Sequence, residues 1–224
     1  MGTIQSGLAA LAVLAAVLAI RAHYLDDGRR WQIYLFKPLA TLLILALALS
    51  LPAARADYAR LIAAGLLLST AGDVFLMLPR DRFVAGLASF LVAHLCYVWA
   101  FSTDAPFGAA PLLWLPYFAA GGLVVALVWP GLKPALRAPV LVYVIVIAAM
   151  AGQATGRWQA TGGGVALLAA LGAGLFVVSD AVLAIDRFRW HFRAARAVTL
   201  ATYWAAQLLI ALSVGMSHPP GPLP

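Results

Sequence analysis

Apolar residues come in eight runs, at residues 4–22, 34–51, 58–78, 83–101, 111–129, 138–155, 165–185 and 198–217. Within each run the apolar character does not alternate and is not confined to one helical stripe, so neither a half-buried strand nor a soluble amphipathic helix fits. Most runs reach the ~20 residues that an α-helix needs to cross ~30 Å of hydrocarbon. The sixth is the shortest, with its dense part at 138–152. Breakers separate the runs: Asp26-Asp27-Gly28, Pro52, Pro79, Asp104-Ala105-Pro106, Pro130-Gly131, Pro134 and Gly162-Gly163-Gly164. The pattern predicts an all-α, polytopic membrane bundle of eight transmembrane helices forming a single domain over residues 1–224. The segment from His218 to Pro224 is rich in proline and is expected to be disordered.

Charge placement orients the bundle. Of the 15 Lys and Arg residues, twelve fall at one set of alternate run ends: Arg21, Arg29, Arg30 and Lys37; Arg80 and Arg82; Lys133 and Arg137; Arg187, Arg189, Arg193 and Arg196. Only Arg55, Arg60 and Arg157 fall at the other. Cytoplasmic loops carry the excess of Lys and Arg, so both termini are expected to be non-cytoplasmic. The first positive charge, Arg21, follows the first run, so that run is expected to be a retained helix rather than a cleaved signal.

Composition agrees. The chain is 64% hydrophobic and 10% charged, with a mean hydropathy of +0.96, against roughly a quarter charged in soluble domains. The net charge of +7 does not indicate nucleic acid, because the cations sit between apolar runs rather than on a folded polar face. The lone Cys96 excludes an internal disulfide and a cysteine-based zinc site.

Polar residues inside the runs carry the candidate chemistry. An ionised side chain near the bilayer centre costs about 2.5 kcal/mol or more, so each is a functional candidate. Lys37, Asp73, His94 and Asp180 lead, joined by Ser69, Tyr97, Ser179, Tyr203 and Gln207. Asp73 and Asp180 each lie five residues before the end of their run, roughly 8 Å inside the same boundary. Lys37 and Tyr203 fall in the same layer from two further helices, and His94 lies nearer the midplane. Plainer roles stand beside these. Lys37 would also fit a snorkelling lysine, His94 a helix–helix hydrogen bond, the tyrosines interfacial anchors, and either acid a structural ion pair with Lys37. No metal site is expected, since only His94 of the four histidines lies inside a run.

Five motifs make the pattern more specific. Lys37-Pro38-Leu39 opens the second run, and Ser69-x-x-Gly72-Asp73-Val74-Phe75-Leu76-Met77 closes the third. Phe83-x-x-Gly86-Leu87-x-x-Phe90-x-x-x-His94-x-x-Tyr97 fills the fourth. Phe176-Val177-x-Ser179-Asp180-x-x-Leu183-Ala184 closes the seventh, and Tyr203-x-x-Ala206-Gln207-x-Leu209-Ile210 lies in the eighth. Together they resemble the YhhN-like family of membrane proteins, whose animal members are lysoplasmalogenases. The resemblance implies a hydrolase that cleaves the vinyl ether bond of a lysoplasmalogen to a fatty aldehyde and a glycerophospho-base, without a cofactor. The implied partners are a lysophospholipid substrate and the bilayer itself. The expected location is the inner (cytoplasmic) membrane of a bacterium.

Vinyl ether hydrolysis needs a proton donor for the β-carbon and a negative group to stabilise the oxocarbenium ion and handle water. Paired carboxylates do the same for glycoside hydrolysis. Asp73 and Asp180 are therefore the expected catalytic pair, facing one another across a polar cavity open to the cytoplasmic half. Arg80, Arg82, Arg187 and Arg189 flank their helices and are candidate phosphate holders. A proton-coupled transporter is the rival reading, since proton relays also use intramembrane acids. Transporter sites, however, lie near the midplane.

Overall fold

The computed structural model describes residues 2–25 and 31–215. Within them eight helices are long and apolar enough to span a bilayer: α1 (Thr3–Ala22), α2 (Trp31–Ser50), α3 (Ala56–Met77), α4 (Phe83–Phe101), α5 (Leu115–Val128), α6 (Pro134–Thr161), α7 (Gly164–Phe188) and α8 (Ala195–Leu212). Short 3-10 turns at Pro111–Trp114 and Trp129–Gly131 extend α5 at both ends. Among the described residues the only β pairing is an isolated bridge between Ala53 and Gly215. The Asp26-Asp27-Gly28 breaker, Arg29, Arg30 and the proline-rich tail lie outside the described residues.

Most helix limits fall within three residues of the predicted ones. Helix α8 stops at Leu212, five residues short of the expected end. Helix α6 runs six residues past its expected end, so Arg157 is not a loop residue but a buried helical one. Its guanidinium is satisfied within the bundle. Nε and Nη2 donate to the two Asp104 oxygens at 2.7 and 2.9 Å, and Nη1 donates to the Tyr58 hydroxyl at 3.3 Å. Gln153, one turn earlier, accepts from the Gly108 N–H and donates toward the Phe101 and Ala105 carbonyls, closing the loop after α4. Polar groups that hydropathy scores as a helix end are here internal staples.

Packing follows the membrane rule, with small residues inside and bulky ones toward lipid. Ala19, Ala40, Ala93, Ala151, Ala169 and Ala206 are fully buried, while Leu49, Leu67, Trp99 and Leu123 face outward. Helices α7 and α8 approach closely. There a Cβ on Gly172 would lie 2.8 Å from the Ala206 carbonyl oxygen, so no side chain fits. Neighbouring contacts run α2–α3–α4–α6–α7–α8 and back to α2, closing a ring of six helices. Helix α1 packs outside α2 and α8, and α5 packs outside α6 and α7. Intramembrane polar groups turn into this ring because lipid gives them no hydrogen-bond partner.

Candidate active site

One large cavity, about 720 Å³, occupies the end of the ring where α3 and α7 finish and α2 and α8 begin. Every helix of the ring contributes to its wall: Lys37, Asp73, Phe90, Tyr143, Asp180 and Tyr203 come one from each. Its mouth is formed by residues such as His23, Pro79, Phe188 and Arg196. The two acids share this cavity as expected, but it is not the polar chamber expected. Leu76, Phe83, Leu87, Val140, Ile147 and Leu200 make most of its surface hydrocarbon. The physical reason is that the polar side chains are confined to one layer of the bundle, while the rest of the wall is built from the apolar faces of membrane helices.

Asp73 is 1% exposed. Its Oδ2 accepts from Thr41 Oγ1 at 2.7 Å and from the Tyr203 hydroxyl at 2.8 Å. Lys37 Nζ stands 3.4 Å from Oδ1 and donates to the Asp73 backbone carbonyl at 3.4 Å. Thr41 is held in turn by Trp204 Nε1 at 3.2 Å. Lys37 is itself 7% exposed, so it does not snorkel; it is the ion-pair partner of Asp73. Gly72 brings α4 close, because a Cβ there would lie 2.6 Å from the Phe90 ring.

Asp180 is built differently. It is half-buried, and its Oδ2 accepts a hydrogen bond from the Tyr143 hydroxyl. Among the described residues no cation pairs with it. Ser179 also borders the cavity, but its hydroxyl is spent on the Thr199 carbonyl at 3.0 Å, tying α7 to α8.

Four other expected site residues do not line the cavity. Ser69, His94, Tyr97 and Gln207 form a fully buried polar cluster beyond it, toward the bundle centre. Tyr97 donates to Gln207 Oε1 at 2.8 Å. Ser69 Oγ, both His94 ring nitrogens and Gln207 Nε2 have no partner among the described residues. The His94 ring stands edge-on to Phe176 and Tyr143, with centroids 4.6 and 5.3 Å away. It therefore backs the cavity wall rather than entering it.

Residue-by-residue reading missed Thr41 and Tyr143. Thr41 lies one helical turn after Lys37, on the same face, and Tyr143 is the lone hydroxyl in the stretch Val140 to Ile147. Both signals are present but are no stronger than those of many membrane Thr and Tyr residues. The proposed phosphate arginines fare worse. Arg187 is engaged by Asp81 at 2.8 and 3.1 Å and covers the Phe83 ring, and Arg189 lies over Trp190. Neither Arg80, Arg82 nor Arg189 borders the cavity. Among the described residues no three His, Cys, Asp or Glu side chains converge as metal ligands would.

Comparison with known proteins gives a consistent picture. The YhhN family profile matches residues 32–214. The chain is 33% identical over 201 residues to the uncharacterized membrane protein YhhN of Escherichia coli O157:H7, covering 90% of this chain and 95% of that one. It is 38% identical over 198 residues to the lysoplasmalogenase TMEM86B of Homo sapiens, covering 87% and 80%. It is 36% identical over 196 residues to the Sus scrofa lysoplasmalogenase TMEM86B, covering 86% and 79%. No solved structure matches the chain.

Proposed function

The chain belongs to the YhhN family of membrane proteins, and on that premise we propose that it is a lysoplasmalogenase-like hydrolase of vinyl ether lipids. One observation carries the reading beyond family membership. Two carboxylates line a single lipid-sized cavity in unlike surroundings, Asp73 beside Lys37 and Asp180 beside Tyr143 alone. The reaction needs that asymmetry: one acid must hold a proton and the other a charge.

In the proposed cycle Asp180 is the general acid. It delivers its proton to the β-carbon of the vinyl ether, and the double-bond electrons form that C–H bond. An oxocarbenium ion remains, shared between C1′ and the ether oxygen. Asp73, kept anionic by Lys37, Thr41 and Tyr203, faces this cation electrostatically and removes a proton from water as the water oxygen bonds to C1′. The product is a hemiacetal. Its hydroxyl proton passes to Asp180 as the C1′–O bond to glycerol breaks, and Asp73 returns its proton to the leaving oxygen. Both acids end in their starting states. Net consumption is one water, and the products are a fatty aldehyde and a glycerophospho-base.

The cavity supports this reading by its size and lining. Ligand pockets span about 300–1,000 Å³, and an apolar chamber opening beside a membrane surface suits one alkenyl chain. The test is aldehyde release by purified protein in detergent, offered 1-alkenyl, 1-alkyl and 1-acyl lysophospholipids. Release from the alkenyl lipid alone is expected. No release, together with proton-driven flux in sealed vesicles, would establish a carrier instead.

A further inference from the structure

Helix α1 ends where α8 begins, and one phenol joins them. The Tyr24 hydroxyl donates to the Arg193 carbonyl at 2.9 Å and accepts from the Ala197 N–H at 3.3 Å. This clamp spans the first turn of α8 and sets the adjacent His23 against Arg196, with Nδ1 3.5 Å from Nη1. Both side chains line the cavity mouth, on the same wall system as Lys37 and Tyr203 deeper in.

Three long-chain cations border the cavity, and two are already matched. Lys37 is paired with Asp73, and Arg187 with Asp81. Among the described residues Arg196 has no carboxylate partner. Its nearest polar neighbour is His23, itself held near pKa 4, first by burial and then by the charges of Arg196 and Lys37. The Asp186 carboxylate also borders the cavity but is engaged by His191 Nδ1 at 2.9 Å and by the Phe192 N–H at 3.3 Å, so among the described residues Arg196 is the charge at the mouth left to take an anion. Since arginine can only donate, His23 Nδ1 is the acceptor of their contact, which leaves its proton on Nε2 as a second donor. Arg196 also sits in the first turn of an 18-residue helix, where the backbone dipole favours negative charge.

We infer that His23, Arg196 and the first turn of α8 seat the phosphodiester of a single-chain phospholipid whose hydrocarbon chain runs into the cavity. The inference rests on the lipid-hydrolase reading for the identity of the chain, and it adds the head-group site and the direction in which the substrate lies. Dimensions agree. Arg196 precedes Tyr203, which touches Asp73, by seven residues, about 10 Å along the helix axis. In a 1-alkenyl lysophospholipid six bonds separate phosphorus from the first vinyl carbon, about 8 Å when extended, at 3.8 Å per three bonds. The remaining ~2 Å lies within the span of one hydrogen bond. A phosphate seated at Arg196 therefore brings the vinyl ether to the depth of the two carboxylates. A planar guanidinium fork is the side chain best suited to hold it.

The experiment measures equilibrium binding to the full-length protein in nanodiscs. Three probes are compared: a 1-alkyl lysophosphatidylcholine, which lacks the cleavable double bond; the matching 1-alkylglycerol, which lacks the phosphate; and inorganic phosphate alone. Arg196→Gln is expected to raise Kd for the phosphate-bearing lipid at least tenfold and to leave the alkylglycerol within twofold. Arg196→Lys should fall between, and His23→Gln should weaken the same lipid severalfold. Unchanged binding of the phosphate-bearing lipid by Arg196→Gln would overturn the site. Equal weakening of both lipids by Arg196→Gln and His23→Gln would also overturn it, as it would mark a structural role. Inorganic phosphate that binds wild type as tightly as the lipid does would remove the lipid assignment. Hydrolase and head-group site fail separately. Arg196-dependent binding without aldehyde release keeps the site and removes the enzyme. Aldehyde release with unaltered KM in Arg196→Gln keeps the enzyme and removes the site.

Discussion

Asp73 and Asp180 are the same residue type in two settings, and the setting gives each its role in the proposed cycle. Changing either to Asn preserves shape but removes the charge or the proton. Each change is expected to lower turnover 10²–10⁴-fold, the usual range for general acid–base catalysis. The double variant should cost far less than the product, since groups acting as a unit are not additive. Aldehyde release from folded, monodisperse protein measures both, and near-wild-type turnover by either variant would remove that acid from the mechanism. Lys37 gives a sharper test, because its Nζ lies 3.4 Å from Asp73 and both side chains are buried. Removing one partner of a buried pair costs about 3–5 kcal/mol, whereas replacing both is often neutral. Lys37→Met should therefore lower the melting temperature in detergent. Lys37→Met combined with Asp73→Asn should restore stability without restoring turnover. His23 adds a pH dependence with a defined sign. Its pKa is about 4 in the fold against an ordinary 6.5, so between these values the unfolded chain binds a proton that the folded one refuses. Stability should fall as pH drops from about 6.5 toward 4, and His23→Gln should flatten that slope.

Among the elements, α6 shows most about what sequence patterning resolves. Its Gln153 and Arg157 each satisfy loop or neighbouring groups inside the bundle, and Arg157 also stacks over the Tyr58 ring at 4.5 Å. Tyr58 continues the chain of contacts to Ser213 at 2.6 Å. The staple thus links α3, α6, the loop after α4 and the end of α8 at the end of the bundle away from the cavity. Asp104→Asn, which leaves Arg157 without its counter-charge, should destabilise by about 3–5 kcal/mol. Its KM for lipid should stay unchanged; a thermal melt paired with steady-state kinetics separates the two effects. Most limits of the other seven helices were legible because proline, glycine clusters or charge fall between the apolar runs; the end of α8 at Leu212 was not, because the apolar run continues past it. The acid layer was legible for a related reason: Lys37, Asp73, Asp180 and Tyr203 stand alone in apolar runs at matching depth. The split between cavity residues and the Ser69–His94–Tyr97–Gln207 cluster was not. It depends on which face of α3, α4 and α8 turns toward the cavity, and helices apolar on every side carry almost no periodic signal of facing. Arg196 escaped because the positive-inside bias already accounts for an arginine in that loop, and what sets it apart is that no carboxylate among the described residues pairs with it.

At the scale of the whole molecule, the ring of six helices has one open, arginine-rich end and one closed end. The beginning of α1 and the end of α8 both lie at the closed end. Gln5 Nε2 donates to the Ser50 carbonyl at 3.0 Å, and Ala53 pairs with Gly215, so the chain's first and last helices meet the α2–α3 loop there. The revised position of Arg157 sharpens the charge asymmetry, because it leaves Arg55 and Arg60 as the only solvent-side cations at that end among the described residues. The positive-inside bias predicts that the cavity end faces the cytoplasm, and the proposed reaction would then draw its lipid from the cytoplasmic leaflet. Cys96 is the single native cysteine and is partly accessible on α4, so labelling begins from a Cys96→Ala background. A cysteine at Gly2 marks the closed end, and one at Phe192, which is 41% exposed between α7 and α8, marks the cavity end. With intact cells and a membrane-impermeant maleimide, Gly2→Cys should label and Phe192→Cys should label only after lysis. The reverse pattern would invert the bundle and place the cavity on the outer leaflet. Labelling of both sites from outside would break the parity of eight spans. Either result would change which lipid pool the acid pair can reach, because a phospholipid head group does not cross ~30 Å of hydrocarbon to find its site.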